Sequence, residues 1–194
     1  MNMTTPFKPT PRDLAEAPHR RVPDIIGPNL KVLFCGINPG IYTAAIRHHF
    51  GRPGNRFWPA LYAGGFTPRL FSPFENHELL ALGYGISNLV MRPTILASEL
   101  SPEELRRGAK RLEKKIFLHK PRFVAFLGIT SYRIAFDRPA AQVGPQNHRI
   151  GETQVWVLPN PSGLNAHFTP PRLRQVFREF HAAVQTDALS RHSS

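Results

Sequence analysis

Cysteine is almost missing from this 194-residue chain: Cys35 stands alone. A disulfide within the chain is impossible, and so is a four-thiolate zinc or iron–sulfur site. No apolar run reaches the length of a membrane span. The first 23 residues hold five prolines and no apolar signal core. Residence in the cytoplasm is therefore the expectation. Acidic residues are scarce, 13 against 25 Lys and Arg, for a net charge of +12. Residues 1–30 hold four basic and three acidic residues, so almost all of the excess lies further along. A folded body this basic fits a polyanionic partner, and a merely soluble basic protein is the plainer alternative. What is plentiful is core material: 41% hydrophobic and 10% aromatic residues. Wholesale disorder is excluded on that ground.

Strand and helix signals alternate. Leu30–Cys35 is a short apolar run that stops at Gly36, which reads as a buried strand. Tyr84–Val90, Arg122–Leu127 and Gln154–Leu158 are further strand candidates. Ser101-Pro102-Glu103-Glu104 carries a capping box, and Leu105, Ala109, Leu112 and Ile116 then repeat at helical spacing to about His119. Thr130–Phe136 suits a short helix. A last helix opens at Thr169-Pro170 with Leu173, Val176, Phe177 and Phe180 inward. The class is α/β with a mainly parallel central sheet. The expected organisation is an irregular lead-in over 1–22, one domain over 23–186 and a frayed tail over 187–194. Ligands in such sheets bind beyond the carboxyl ends of the strands.

Three blocks carry the polar chemistry, two of them directly after a strand. Gly36-Ile37-Asn38-Pro39-Gly40 follows the first strand. Its glycines permit a tight turn and close approach of a flat ligand, and Asn38 stands on a stiff platform. An ordinary strand-exit turn has the same composition. Asn160-Pro161-Ser162-Gly163-Leu164-Asn165-Ala166-His167 follows the last strand. Leu164 lies near its tip, either inserted into something or folded back on the core; apolar insertion is one way to unstack a duplex. Between them, residues 48–58 (HHFGRPGNRFW) mix aromatics, glycines and bases, as stacking on a base and gripping phosphates require. The adjacent histidines have no carboxylate or thiol beside them, so a metal site is not expected.

These residues resemble the mismatch-specific uracil-DNA glycosylases and the related thymine-DNA glycosylases of the uracil-DNA glycosylase superfamily. The matching stretches are G-I-N-P-G at 36–40, N-P-S-G-L at 160–164, P-G-N-R-F-W at 53–58 and L-V-x-R-P-T at 89–94; His48-His49-Phe50 is close to the His-His-Tyr of the thymine branch. The similarity runs from about Val22 to about Ala183. It implies a three-layer α/β/α domain that excises uracil, and by extension thymine or other damaged pyrimidines, mispaired with guanine in double-stranded DNA. An abasic site would be left for base-excision repair. Asn38 would be the catalytic residue. Ile37, Thr43, Phe50, Asn88 and Asn160 would form the base pocket. Ser162, Gly163, Leu164, Asn165, Asn55, Arg56 and Arg92 would contact DNA, with Leu164 as wedge. No cofactor or metal is implied, and the protein would act as a monomer.

None of the thirteen acids falls inside the three blocks, so the carboxylate pair usual for glycosidic hydrolysis is missing. Asn38 can hold a water but cannot act as a strong base. The base must then leave as a delocalised anion, stabilised by amides near 36–40 and by Asn88. Asn88 stands where some bacterial members carry Lys, and Ala166 where relatives carry Arg. Arg52, Arg56 and Arg92 are the better placed phosphate ligands, while Arg106, Arg107, Lys110, Arg111, Lys114 and Lys115 suit a solvated helix face. Two alternatives stay open: a glycosylase with another preferred base such as hypoxanthine, and a non-catalytic DNA-binding protein of the same fold.

Overall fold

The computed structural model describes residues 8–163 and 168–192, without the side chains of the last two. Five strands form one sheet in the order β2-β1-β3-β5-β4. They are β1 (Val32–Gly36), β2 (Tyr84–Asn88), β3 (Phe123–Leu127), β4 (Gly144–Ile150) and β5 (Thr153–Leu158). The β1–β2, β1–β3 and β3–β5 pairs are parallel. Only β4 runs antiparallel, along the edge of β5. All five residues of β1, β2 and β3 are buried, as expected of strands covered on both faces.

Alternation along β1 builds two cores. Val32 and Phe34 point to one side, packing with Phe57, Leu61, Phe177 and Phe180. That side is covered by α3 (Phe57–Ala63) and α6 (Pro170–His192). Phe34 meets the edges or faces of Phe57 and Phe66 at ring separations of 5.6 and 5.3 Å. Leu33 and Cys35 point the other way, onto Leu105, Ala109, Leu112 and Ile116 of α4 (Pro102–His119) and onto Tyr132 of α5 (Ile129–Ala135). The α4 capping box forms as its sequence requires: Ser101 Oγ accepts from Glu104 N and Glu104 Oε2 accepts from Ser101 N. The result is a three-layer α/β/α domain.

Residues 8–22 and 187–192 are more regular than their composition suggests. The lead-in is not irregular throughout: α1 (Pro11–Glu16) is capped by Thr10 and Asp13, and Ala17 and Val22 pack under α2 (Ile41–Ile46). Arg20 ties this segment down by donating to Asp13, Glu16 and the Ala45 carbonyl. Ile25 then pairs antiparallel with Ile86 on the free edge of β2. At the other end α6 continues to His192 in place of fraying at 187. Asp187 accepts from Arg122 Nε at 3.0 Å and from Gln154 Nε2 at 2.8 Å, which fixes the helix end to the sheet.

Because β1, β2, β3 and β5 are parallel, their carboxyl ends open on one rim. The segments leaving them are 36–40, 88–94, 128–131 and 159–163.

Candidate active site

The rim holds a cleft of about 550 Å³. Its walls come from all four strand exits, from His49, Phe50, Arg52 and Asn55, and from Ile95–Ser98 and Phe168. The two sequence blocks that bracket the domain therefore meet: Asn38 and Ser162 line the same cavity.

The first turn is held rigidly. Beyond β1 and β2 the chain keeps zipping: Leu89 N donates to Gly36 O, Val90 N to Ile37 O, Thr94 N to Pro39 O and Ile41 N to Thr94 O. This brings the 92–94 backbone over Asn38. Asn38 Nδ2 donates to Arg92 O at 2.9 Å and to Thr94 Oγ1 at 2.7 Å. Both amide hydrogens are thereby used, and Oδ1 is the atom left to accept from a water. No Asp or Glu is among the described residues lining the cleft.

One end of the cleft closes around Gly36, where a side chain would crowd Asn88 and Phe50. A Cβ on Gly36 would fall 2.5 Å from Asn88 Oδ1 and 3.3 Å from Phe50 Cζ. Phe50 takes a left-handed backbone (φ 54°), which turns its ring into the cleft, and that ring stacks on Phe57 at 4.0 Å. Thr43, 6% exposed, and Asn88, 5% exposed, complete this end. Ile37 is half-buried and packs against Gly128, at the start of the β3 exit. Behind Asn88 lies His49, whose Nδ1 is 3.4 Å from Asn88 Nδ2 and whose Nε2 is 2.8 Å from the Pro23 carbonyl. Burial holds the His49 pKa below its ordinary value.

The second turn locks onto the 53–57 block. Arg56 N donates to Pro161 O at 2.9 Å. The Arg56 guanidinium donates to Ser162 O and Phe168 O, each at 2.6 Å. A Cβ on Gly163 would sit 2.6 Å from the Gly54 carbonyl, so the two loops touch backbone to backbone. Asn160 Oδ1 accepts from Ser162 N and Asn55 Oδ1 accepts from Phe57 N; each side chain closes its own turn. Leu164 and Asn165 lie outside the described residues.

Two expected phosphate ligands have other work. Arg56 is a tether of the second turn. Arg92 donates to both carboxylate oxygens of Glu104 at 2.8 and 3.0 Å, and its carbonyl holds Asn38. This pairing pulls the Glu104 pKa down to about 2. Arg52 is exposed and lines the cleft. Residue-type reasoning overlooked Thr94, Ile95–Ser98 and Gly128–Ser131. Thr94 had a signal in the matched 89–94 stretch; the others are hydrophobic or small and carried none.

Comparison with known proteins gives the family and supports the fold. The profile of the Uracil DNA glycosylase superfamily matches residues 23–184. Among solved structures, the solution NMR structure of a candidate uracil DNA glycosylase from Methanosarcina acetivorans superposes with a TM-score of 0.54 at 20% identity. That match covers 84% of this chain and 98% of the other, and at this identity it speaks to the fold. With a profile match over most of its length and the two turns of its motifs facing one cleft, the chain belongs to the uracil DNA glycosylase superfamily.

Proposed function

We propose that this protein is a monofunctional DNA glycosylase that excises uracil mispaired with guanine from double-stranded DNA. One observation carries the reading. Asn38 lines the cleft and spends both amide hydrogens on Arg92 O and Thr94 Oγ1, which leaves Oδ1 as the acceptor for a water, and no Asp or Glu is among the described lining residues. In this reading the target nucleotide is extruded at a cost of a few kcal/mol, least for a wobble pair. The base stacks on Phe50 and hydrogen-bonds Asn88. The glycosidic bond breaks with the base leaving as an anion, and the water on Asn38 attacks the sugar carbon. Stabilisation of the leaving base replaces the missing general acid. Leu164 fills the vacated stack, and Arg52 with the amides around Gly163 meets phosphates. Thymine opposite guanine is the natural second substrate. The protein acts as a monomer in the cytoplasm.

The test is direct. A labelled duplex with one G·U pair is incubated with the protein and treated with alkali. Strand scission at the uracil is expected; an intact strand overturns the reading and favours a DNA-binding protein without chemistry. A duplex carrying hypoxanthine in the same position, cleaved faster than G·U, replaces uracil as the substrate.

A further inference from the structure

His49 is 1% exposed, yet it lines the cleft beside Asn88. Its two ring nitrogens face partners of opposite kind. Nε2 is 2.8 Å from the Pro23 carbonyl oxygen, which can only accept, so Nε2 carries a hydrogen. Burial keeps the ring neutral, and a neutral imidazole has one N–H. Nδ1 is therefore a lone pair, and it faces the Asn88 amide at 3.4 Å.

This decides which way the Asn88 amide points. With Nδ2 toward His49, a hydrogen meets a lone pair. Reversed, Oδ1 would meet Nδ1, acceptor against acceptor, inside a buried site where no water relieves the repulsion. Asn88 thus keeps Oδ1 on the side of Gly36, where the absence of a Cβ makes room for it. Pro23 is itself held in place. The following Asp24 accepts from Ser87 Oγ at 2.9 Å and pairs with Lys115, and Ile25 is bonded in both directions to Ile86.

We propose that His49 is a positioning residue for base specificity: its Nε2–H tautomer, fixed by the Pro23 carbonyl, holds Asn88 so that the cleft accepts bases with a ring N–H beside a carbonyl and refuses cytosine. Oδ1 accepts from the imide N–H, and the second Nδ2 hydrogen can reach the adjacent carbonyl. Cytosine presents a lone pair and an amino group at those positions, and both clash with the locked amide. The proposal rests on the glycosylase reading for its consequence, whereas the lock is a property of the free protein.

Two measurements test it. In the full-length protein at pH 7.5, nitrogen-15 NMR of the His49 ring is expected to show Nε2 protonated and Nδ1 bare. A proton on Nδ1 overturns the lock whether or not the protein releases any base. In the second arm, single-turnover release of 5-fluorouracil and 5-fluorocytosine opposite guanine is compared, since fluorine makes both better leaving groups. His49→Phe keeps a flat ring and removes the acceptor, and is expected to lower the uracil-to-cytosine rate ratio by tenfold or more. An unchanged ratio in a folded variant overturns the assignment. Should His49→Phe fail to fold, the ring-nitrogen shifts of the wild type still decide.

Discussion

Thr94 Oγ1 stands 2.7 Å from Asn38 Nδ2, joining two strand exits that are 56 positions apart in sequence. The hydroxyl does not itself need to reach the base; it removes the freedom of the amide that would hold the water. Thr94→Val keeps the shape and deletes the acceptor. One hydrogen bond of this kind contributes about 1 kcal/mol, so single-turnover base release should slow by roughly five- to tenfold. Asn38→Ala should slow it by at least about a hundredfold. Duplex affinity, measured by fluorescence anisotropy, should hold within a factor of about two in both. A parallel fall in affinity would mean that Asn38 binds DNA and does not act on water.

The arginines around the cleft should separate in a salt titration. Each phosphate contact contributes roughly 0.9 to the slope of log affinity against log salt. Arg52→Ala should reduce the slope by about that amount, because its side chain is exposed at the cleft mouth. Arg56→Ala should leave the slope alone and lower stability by about 2 kcal/mol, since its guanidinium bonds loop carbonyls. Equal slope changes would return Arg56 to the phosphate-binding set.

Gly163 offers a test of the second turn that does not touch a hydrogen-bonding side chain. An alanine Cβ there would stand 2.6 Å from the Gly54 carbonyl, a backbone atom that cannot swing aside. Gly163→Ala should push the two loops apart and so misplace the Leu164 that follows. Excision from duplex should fall at least about tenfold, with a smaller loss on single-stranded uracil DNA, where no stack needs filling. Leu164→Ala should show the same asymmetry. Equal losses on both substrates would remove the wedge from the mechanism.

Much of this was legible in the residues. The parallel strands announced themselves because strands buried on both faces read as unbroken apolar runs, as Leu33 to Cys35 do. The α4 boundary followed from its capping box. β4 was not legible, since an edge strand of sequence GPQNHRI has one wet face and no apolar run. The lead-in helix was hidden by its prolines, although Thr10 and Asp13 spell a cap at the right spacing. In the site, Asn38, Phe50 and Asn88 were found as residue types. The roles of Arg56, Arg92 and His49 were not, because a side chain's partners are set by tertiary approach. Arg56 meets a carbonyl 106 positions away, and no local pattern encodes that.

Stability should fall in acid through two separate windows. Burial lowers the pKa of His49 in the folded protein, and the half-buried His48, His148 and His181 shift the same way. Between the folded value and the unfolded one, near 6.5, the unfolded chain binds more protons. Stability is therefore complete above about pH 6.5 and declines as pH drops below it, by up to about 1.4 kcal/mol per pH unit per histidine. The decline stops once the folded form also takes up the proton. Glu104 acts lower down: with its pKa brought from 4.5 to about 2 by Arg92, its contribution is full above 4.5 and fades between 4.5 and 2. Urea unfolding between pH 8 and 5 should resolve the histidine window alone. His49→Phe should make the slope shallower by one histidine's share, with His48, His148 and His181 supplying the rest, and Arg92→Ala should leave it unchanged. A slope unchanged by the loss of His49 would mean that the ring is not buried in its neutral form, and Asn88 would lose its fixed partner.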